Sequence, residues 1–191
     1  MSFKILVVCI GNVCRSAQAE RLLEFRLGTL LGPRRDEVSV SSAGVRALVG
    51  YPMDESSERE LTRLGGTAED FESTQLTASA VADADLVLTA TKDLRSRVLQ
   101  ESPGALKRTF TLLEFAALTD GATPASLKDL VAGAADRRSS AQLDDYDIAD
   151  PIGASDQVHT QVADVIDQAT RTITTAIASS VVEPVETPNA G

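Results

Sequence analysis

The N-terminal part of the chain joins a short apolar run to a longer stretch of helical periodicity. The run Phe3–Cys9 is almost entirely apolar and ends at Gly11-Asn12, which is typical of a strand buried on both faces of a parallel sheet. Residues 16–31 carry apolar side chains at helical spacing, and Gly32-Pro33 ends that pattern. The first predicted unit is therefore a buried strand followed by an amphipathic helix.

The same alternation continues along the chain. Further strands are predicted at residues 37–42, 85–90 and 108–112, and helices at 54–64, 77–82, 92–100 and 156–179. Strands that alternate with helices predict a doubly wound α/β domain with a four-stranded parallel sheet flanked by helices. Residues 116–145, rich in Ala, Asp and Ser, predict one weak helix in a long connection. We expect a single domain over residues 1–180 and a frayed tail over residues 181–191.

Charge and cysteine content narrow the class of protein. The 28 acidic and 18 basic residues give a net charge of −10, which repels a nucleic-acid backbone, so we expect no nucleic-acid partner. The apolar run 5–10 is too short for a signal peptide, and no stretch is long enough to cross a membrane. Two cysteines make neither a disulfide framework nor a zinc site. We therefore predict a cytoplasmic protein without a metal or cofactor.

The stretch between the first strand and the first helix is predicted to bind a phosphate group. Open α/β sheets bind ligands at this edge, and the free amides and dipole of a helix N-terminus attract anions. Arg15 offers a planar fork to two phosphate oxygens, and Cys9 lies six positions before it. The residues predicted to contact the phosphate are Ile10, Gly11, Asn12, Val13, Cys14, Arg15 and Ser16.

Cys9 is the predicted nucleophile of this loop. The amides, Arg15 and the helix dipole favour its thiolate form, and attack on phosphorus would divide one displacement into two through a phosphocysteine. Ser16 is placed to donate to the sulfur and help it leave. Gly11 is expected where the backbone bends sharply, and Asn12 where a left-handed conformation is needed. The competing interpretation, a turn with two buried structural cysteines, explains neither Arg15 nor Asn12.

Asp150 is the candidate acid that protonates the leaving oxygen. It belongs to an Asp-Pro pair in a glycine-containing loop just before the last predicted helix, from which it can overhang the site. The competing interpretation is a turn with a solvated carboxylate. Asp144, Asp145 and Asp147 lie nearby in the sequence, and Asp147 is the nearest competitor for the acid role.

The loop from Cys9 to Ser16 resembles that of the low-molecular-weight protein tyrosine phosphatases. The resemblance continues in order through Ser41-Ser42-Ala43-Gly44, Gln75-Leu76-Thr77, Ala84-Asp85-Leu86-Val87-Leu88 and Asp150-Pro151-x-Gly153. It implies the same four-stranded parallel fold, a phosphorylated protein as substrate and the acid role for Asp150. It also implies that Ser42 hydrogen-bonds Asn12 and holds the loop open.

The resemblance leaves several substrates open. Tyrosine-specific members usually line the cleft with aromatic residues, where this chain has Ile152 and the run 45–49; Tyr51 is either a substitute wall or a turn or core residue. Phosphotyrosine is favoured over phosphoserine as the substrate, because a phenol is a better leaving group than an alkyl alcohol. A protein-arginine phosphatase is an alternative, although such relatives tend to carry Thr where Val13 stands. An arsenate reductase would need cysteines beyond Cys14, and a module that binds phosphoproteins without turnover is the remaining alternative.

Two residues near the loop have open roles. Cys14 either forms a reversible disulfide with oxidised Cys9 or is a small buried apolar residue. His159, the only histidine, is expected to be solvated in the first turn of the last helix, which disfavours a catalytic triad. No pattern in the chain indicates an oligomeric state.

Overall fold

The computed structural model describes residues 2–181, in which helices cover both faces of a parallel sheet. The strands are β1 (Phe3–Cys9), β2 (Val38–Gly44), β3 (Leu86–Thr89) and β4 (Thr109–Thr111). The helices are α1 (Arg15–Leu31), α2 (Glu55–Arg63), α3 (Ala78–Asp83), α4 (Lys92–Glu101), α5 (Leu112–Thr119), α6 (Leu127–Arg137) and α7 (Asp156–Val181). The sheet order is β2-β1-β3-β4 and each neighbouring pair is parallel. The predicted four-stranded, doubly wound fold is confirmed.

β1 lies at the centre of two hydrophobic cores. Ile5 and Val7 belong to the core that includes side chains of α1, α2, α5, α6 and α7. Leu6 and Val8 belong to a smaller core on the other face, with side chains of α3 and α4. Because successive side chains of a strand point to opposite faces, this double burial explains why β1 is apolar at nearly every position.

The connections place the end of β1 at the switch point of the sheet. From β1 the chain goes to β2 on one side and later returns to β3 on the other. Ligands of open α/β sheets bind outside the carboxyl ends of the strands at such a point. The segment that follows Cys9 lies there, between the end of β1 and the start of α1. Among residues 2–181, no helix is both apolar and long enough to traverse a bilayer.

The region 116–145 differs from its prediction, because it holds two helices rather than one weak helix. α5 begins directly after β4, where Thr111 and Glu114 form a capping box. The Ser126 side chain caps α6 by accepting a hydrogen bond from the amide of Asp129 at 3.2 Å. Both helices are short, so their caps define them more clearly than their periodicity does. In the predicted tail, Val181 is the last residue of α7 and residues 182–191 lie outside the described part.

The burial of His159 was predicted wrongly, and two apolar residues that fit the helical spacing are exposed. Leu30, within residues 16–31, and Val165, within residues 156–179, are 46% and 41% exposed. His159, expected to be solvated, is only 4% exposed. The reason is the packing of α7 against α1 and α2, which makes Val162 and Ile166 the centre of its inner face. His159 precedes them by one and two helical turns and therefore points the same way.

Candidate active site

The loop from Cys9 to Ser16 turns its carbonyl groups outward. The contacts are Val45 N to Cys9 O at 3.1 Å, Arg46 N to Ile10 O at 2.9 Å, Leu48 N to Gly11 O at 3.1 Å and Asp54 N to Val13 O at 2.9 Å. In a planar trans peptide the N–H points opposite to the C=O. With the carbonyls held from outside, the amides of the loop face its concave side. Convergent amides at a helix N-terminus are a site for an anion.

The side chain of Asn12 joins the loop to β2 and to the segment that contains Thr74. The φ of Asn12 is 59°, the left-handed conformation that was predicted for it. The side chain is fully buried; Oδ1 accepts from Thr74 N at 2.7 Å, while Nδ2 donates to Ser16 Oγ at 2.9 Å and to Ser42 Oγ at 2.7 Å. The Ser42 to Asn12 contact implied by the family resemblance is therefore present in the structure.

A glycine is required at the end of β2 rather than inside the loop. A Cβ built on Gly44 would lie 2.5 Å from Ile10 O and 3.0 Å from Asn12 N. A Cβ on Gly11 would meet only Val13 Cγ2, at the ordinary distance of 3.7 Å. The loop backbone therefore packs so closely against residue 44 that only glycine fits there, whereas residue 11 has room for a Cβ. The steric role of Gly44 could not be predicted from its neighbours in the sequence, because the close approach joins segments far apart in the chain.

The sulfur of Cys9 lies inside the loop and accepts two hydrogen bonds. Asn12 N donates to Sγ at 3.2 Å and Ser16 Oγ donates at 2.9 Å. The Cys9 residue is 2% exposed. Hydrogen-bond donors and a helix N-terminus stabilise a thiolate relative to a thiol. The predicted nucleophile is thus held by two hydrogen-bond donors of the loop.

Arg15, the first residue of α1, binds the segment that carries Asp150. Nη1 donates to Ile148 O at 3.0 Å and Nη2 to Asp150 Oδ2 at 2.6 Å. Ile148 N in turn donates to Ala90 O, just after β3, at 2.9 Å, which fixes the position of the Ile148 carbonyl. Nε of Arg15 is buried and has no hydrogen-bond partner in the described part of the chain. A buried donor without an acceptor is costly, so Nε favours an anion at the loop.

Asp150 is the carboxylate that the fold brings to Arg15. Its side chain is 43% exposed, and its Oδ1 accepts from Ile152 N at 3.3 Å. Asp147 is occupied elsewhere, since its Oδ1 accepts from Lys92 N at 2.7 Å at the first turn of α4. Asp145 Oδ1 accepts from Asp147 N at 2.8 Å. The geometry therefore favours Asp150 over Asp147 as the acid, a role that stays a proposal.

A sequence model described as low molecular weight phosphotyrosine protein phosphatase matches residues 4–129 of this 191-residue chain. The chain belongs to this family. The matched part contains the loop, Ser42 and Gly44 but ends before Asp150. Within this low molecular weight phosphatase, Asp150 is tied to the site by its contact with Arg15.

Individual relatives agree with the family assignment. The low molecular weight protein-tyrosine-phosphatase Ptp of Acinetobacter johnsonii is 34% identical over 113 residues, which cover 59% of this chain and 74% of the relative. The crystal structure of the Erwinia amylovora tyrosine phosphatase AmsI is 28% identical with a TM-score of 0.67, covering 90% of this chain and 91% of that one. The arginine phosphatase YwlE from Geobacillus stearothermophilus is 28% identical with a TM-score of 0.68, covering 91% of each chain.

Cys14 is a buried residue within the loop of this phosphatase. It is 3% exposed, and burial raises the pKa of its thiol to about 12, with Asp54, Cys9 and Asp150 adding to the increase. Cys9 and Cys14 are both free thiols. A neutral thiol is a poor nucleophile, so this environment favours the interpretation of Cys14 as a small buried residue over that of a reactive partner.

Asp54 supports the loop through a contact that was not predicted from the sequence. Asp54 donates its amide to Val13 O, and its Oδ1 caps α2 by accepting from Ser57 N at 3.0 Å. His159 Nδ1 lies 3.8 Å from the same Oδ1. An Asp directly before a predicted helix signals a cap, but its link to the loop depends on tertiary packing. Among residues 2–181, no group of three His, Cys, Asp or Glu side chains could hold a metal ion.

Proposed function

We propose that this protein is a cysteine-dependent phosphatase that hydrolyses phosphotyrosine in proteins through a phosphocysteine at Cys9. The observation that carries the proposal is the convergence of two donors, Asn12 N and Ser16 Oγ, on the Cys9 sulfur. The phosphate would lie on the concave side of the loop, against the amides of residues 10–16. Arg15 would supply the charge-assisted fork for its oxygens.

In the first step, the Cys9 thiolate attacks the phosphorus atom of the ester. An S–P bond forms while the P–O bond to the tyrosine ring breaks, and the departing phenolate takes a proton from Asp150. The products are a phosphocysteine, free tyrosine in the substrate protein and an ionised Asp150. The amides and Arg15 stabilise the charge that develops on the equatorial oxygens.

In the second step, water attacks the phosphocysteine. The Asp150 carboxylate accepts a proton from that water, an O–P bond forms and the S–P bond breaks. The electron pair returns to sulfur, where the hydroxyl of Ser16, 2.9 Å away, donates to the leaving thiolate. Inorganic phosphate leaves, and both Cys9 and Asp150 regain their starting forms.

Arg15 and Asp150 would exchange partners when substrate binds. Asp150 Oδ2 lies 2.6 Å from Nη2, a donor that a phosphate oxygen would also use. A phosphate dianion and a carboxylate repel each other, and protonation of Asp150 removes that repulsion. Substrate binding would therefore both free Asp150 from the guanidinium and favour the protonated form that the first step needs.

Exposed apolar side chains around the loop support an aromatic substrate. Ile10 is 43% exposed, Leu48 50%, Tyr51 62% and Ile152 55%. Leu48 N binds Gly11 O and Tyr51 N binds Leu48 O at 2.9 Å, so both residues belong to the segment that runs along the loop. These side chains can cover the faces of a phosphotyrosine ring. The exposure of Tyr51 argues against a role in the core. Tyr51 is therefore available to line the cleft in place of the aromatic residues that tyrosine-specific family members usually carry there.

The second candidate function is that of a protein-arginine phosphatase, because the relative YwlE is named an arginine phosphatase. Val13, which is 7% exposed, has the shape of threonine without its hydroxyl and so offers no side-chain hydrogen bond to a phosphoarginine substrate. The aliphatic Ile152 is compatible with either substrate. The apolar side chains around the loop and the absence of a hydroxyl on Val13 together favour phosphotyrosine as the substrate.

The two candidates are separated by a panel of matched peptides carrying phosphotyrosine, phosphoarginine or phosphoserine at one position. We expect the largest kcat/KM for phosphotyrosine, with Val13→Thr raising the phosphoarginine rate relative to it. A larger kcat/KM for phosphoarginine in the unaltered protein would overturn the tyrosine assignment. Binding of all three peptides without release of phosphate would overturn the proposal of an enzyme.

The cellular compartment, the partner and the extent of the catalytic domain are also proposals. A catalytic thiol must stay reduced, and both cysteines are free, which suits the reducing cytoplasm. We propose a phosphorylated protein as the partner and one catalytic domain over residues 1–180. Limited proteolysis followed by mass spectrometry tests the domain boundary, because a fragment ending well before residue 180 should not retain activity.

A further inference from the structure

A chain of hydrogen bonds runs from the sulfur of Cys9 to the half-buried carboxylate of Glu20 on α1. Ser16 Oγ donates to Cys9 Sγ at 2.9 Å, and Asn12 Nδ2 donates to Ser16 Oγ at 2.9 Å. The same Nδ2 donates to Ser42 Oγ at 2.7 Å. Ser42 Oγ donates in turn to the carboxylate of Glu20. Glu20 thus ends a chain that begins at the nucleophile.

The chemistry of these groups fixes the direction of every bond in the chain. A carboxylate can only accept, and an amide NH2 can only donate. Ser42 lies between Glu20 and Asn12, so its single proton goes to Glu20 and its lone pair faces Asn12. Thr74 N occupies Oδ1 of Asn12 at 2.7 Å, which prevents the amide from turning over. The hydroxyl of Ser16 then receives from Asn12 and can point its own proton only at the sulfur.

We propose that Glu20 is a positioning residue for the catalytic loop. Its carboxylate holds Ser42, Ser42 holds Asn12, and Asn12 directs the hydroxyl of Ser16 at Cys9. This inference rests on the proposed role of Cys9 as nucleophile. It adds to the site a residue that touches neither the substrate nor the reacting atoms.

The surroundings of Glu20 agree with this role. Burial raises the pKa of its carboxyl, the Ser42 hydrogen bond opposes that effect, and Glu24 adds to it. The charged groups acting on it, Arg21 and Glu24, come from its own helix, and β2 contributes the Ser42 hydroxyl. Arg21 is directed elsewhere, with Nη1 3.4 Å from Glu24 and its guanidinium carbon 5.5 Å from the Phe71 ring centroid. The hydrogen bond between this half-buried carboxylate and the Ser42 hydroxyl is charge-assisted, which holds Ser42 in one orientation.

The spacing of residues on α1 also indicates that Glu20 can belong to this network. Glu20 lies four positions after Ser16, so both side chains are on the same face of the helix. A carboxylate on that face, one turn after a residue that donates to the nucleophile, can reach the same network. The partner it reaches, Ser42, is on β2 and cannot be identified from helix periodicity.

The test compares Glu20→Ala with Glu20→Gln. Alanine removes the acceptor for Ser42, and we expect kcat to fall roughly three- to tenfold, the effect of losing one such hydrogen bond. KM should change little, because Arg15 and the loop amides are untouched. Gln can still accept from Ser42 through Oε1, so Glu20→Gln should restore most of kcat. If removal of a negative charge were the cause, Ala and Gln would act alike, and that result would overturn the proposal.

Two controls make the comparison specific. Glu24→Gln removes a carboxylate one turn further along α1, where Glu24 contacts Arg21 and Arg35 but not the loop, and it should leave kcat unchanged. A double-mutant cycle with Ser42→Ala tests the route. Because Glu20 acts through Ser42, the double variant should be no slower than Ser42→Ala alone. Additive losses would overturn the proposed route.

The rate of Cys9 alkylation by iodoacetamide at fixed pH, followed by mass spectrometry of the peptide, provides a readout independent of phosphatase activity. We expect Glu20→Ala to slow it and Glu20→Gln to restore it, in variants whose thermal unfolding matches the unaltered protein. An unchanged rate in Glu20→Ala would overturn the inference while leaving the proposed function intact. If Cys9 in the unaltered protein reacts no faster than a free cysteine, the proposed function fails instead.

Discussion

Asp150 Oδ2 lies 2.6 Å from Nη2 of Arg15, so the proposed acid and the proposed phosphate-binding side chain are bound to each other. The Arg15 side chain is 5% exposed and that of Asp150 is 43% exposed. The arginine is therefore the fixed partner, further held by Ile148 O at 3.0 Å. Asp150 is the more exposed partner, and it is the one that would have to move if a phosphate oxygen took its place.

Asp150→Asn should slow substrates according to their leaving groups. A phenol without activating substituents needs a proton as it departs, whereas a nitrophenol leaves readily without one. We expect kcat for a phosphotyrosine peptide to fall about 10²- to 10⁴-fold, the usual contribution of a general acid. The loss for nitrophenyl phosphate should be clearly smaller. Steady-state kinetics with both substrates measure the difference.

Asp147→Asn is the matched control for that experiment. Asp147 accepts from Lys92 N at 2.7 Å, so its replacement should lower stability slightly and leave the leaving-group dependence unchanged. Equal slowing of both substrates by Asp150→Asn would contradict an acid role. A leaving-group effect in Asp147→Asn instead would transfer that role to Asp147.

Cys9→Ser should abolish turnover and retain phosphate binding. A serine hydroxyl at this position is a far weaker nucleophile than a thiolate, while Asn12, Arg15 and the loop amides keep their positions. Isothermal titration with inorganic phosphate should give a dissociation constant within about tenfold of the unaltered protein, or 1.4 kcal/mol. Release of phosphate from a phosphotyrosine peptide at an unaltered rate would exclude Cys9 as the nucleophile.

Cys14 should be unreactive in the folded protein at neutral pH. Burial raises the pKa of this thiol from 9.0 to about 12, so the neutral form dominates until the pH is strongly alkaline. Iodoacetamide at neutral pH should therefore modify Cys9 alone, and Cys14 only after unfolding in guanidinium chloride. Peptide mass spectrometry of both samples identifies the modified residue. Rapid modification of Cys14 in the folded protein would contradict the assignment.

The same pKa predicts how stability changes at high pH. The neutral Cys14 thiol is compatible with burial, whereas in the unfolded chain it ionises near its ordinary value of 9.0. Its stabilising effect is therefore complete below about pH 9 and decreases as the pH rises toward 12. Replacement by alanine should make the free energy of unfolding less dependent on pH in this range. Urea unfolding of both proteins at several alkaline pH values tests the difference.

The sequence predicts what depends on neighbouring residues and misses what depends on tertiary contacts. Cys9, Arg15 and Asn12 belong to one short loop with a recognisable pattern, and the apolar run of β1 marks where that loop begins. The roles of Gly44 and Glu20 depend on β2 lying against the loop. The burial of His159 likewise depends on α7 packing against α2, a contact between segments about one hundred positions apart.

Gly44→Ala should disrupt the proposed phosphate site more than it destabilises the protein. The added Cβ would lie 2.5 Å from Ile10 O, a backbone atom that cannot move without displacing the loop. Such overpacking typically costs about 1–3 kcal/mol, and here the displaced atoms carry the amides that would bind phosphate. We expect weaker phosphate binding and lower kcat/KM, measured by titration and steady-state kinetics, together with a modest fall in thermal stability.

Gly28→Ala is the matched glycine replacement for Gly44→Ala. A Cβ on Gly28 would have no atom within 4 Å, and the residue is exposed in the interior of α1. Alanine should stabilise the helix there by roughly 0.5–1 kcal/mol and leave phosphate affinity unchanged. If Gly44→Ala bound phosphate as tightly as Gly28→Ala, the loop would have to tolerate a displaced Ile10 carbonyl. That result would show that β2 does not set the position of the loop, and the route from Glu20 through Ser42 to the sulfur would lose its support.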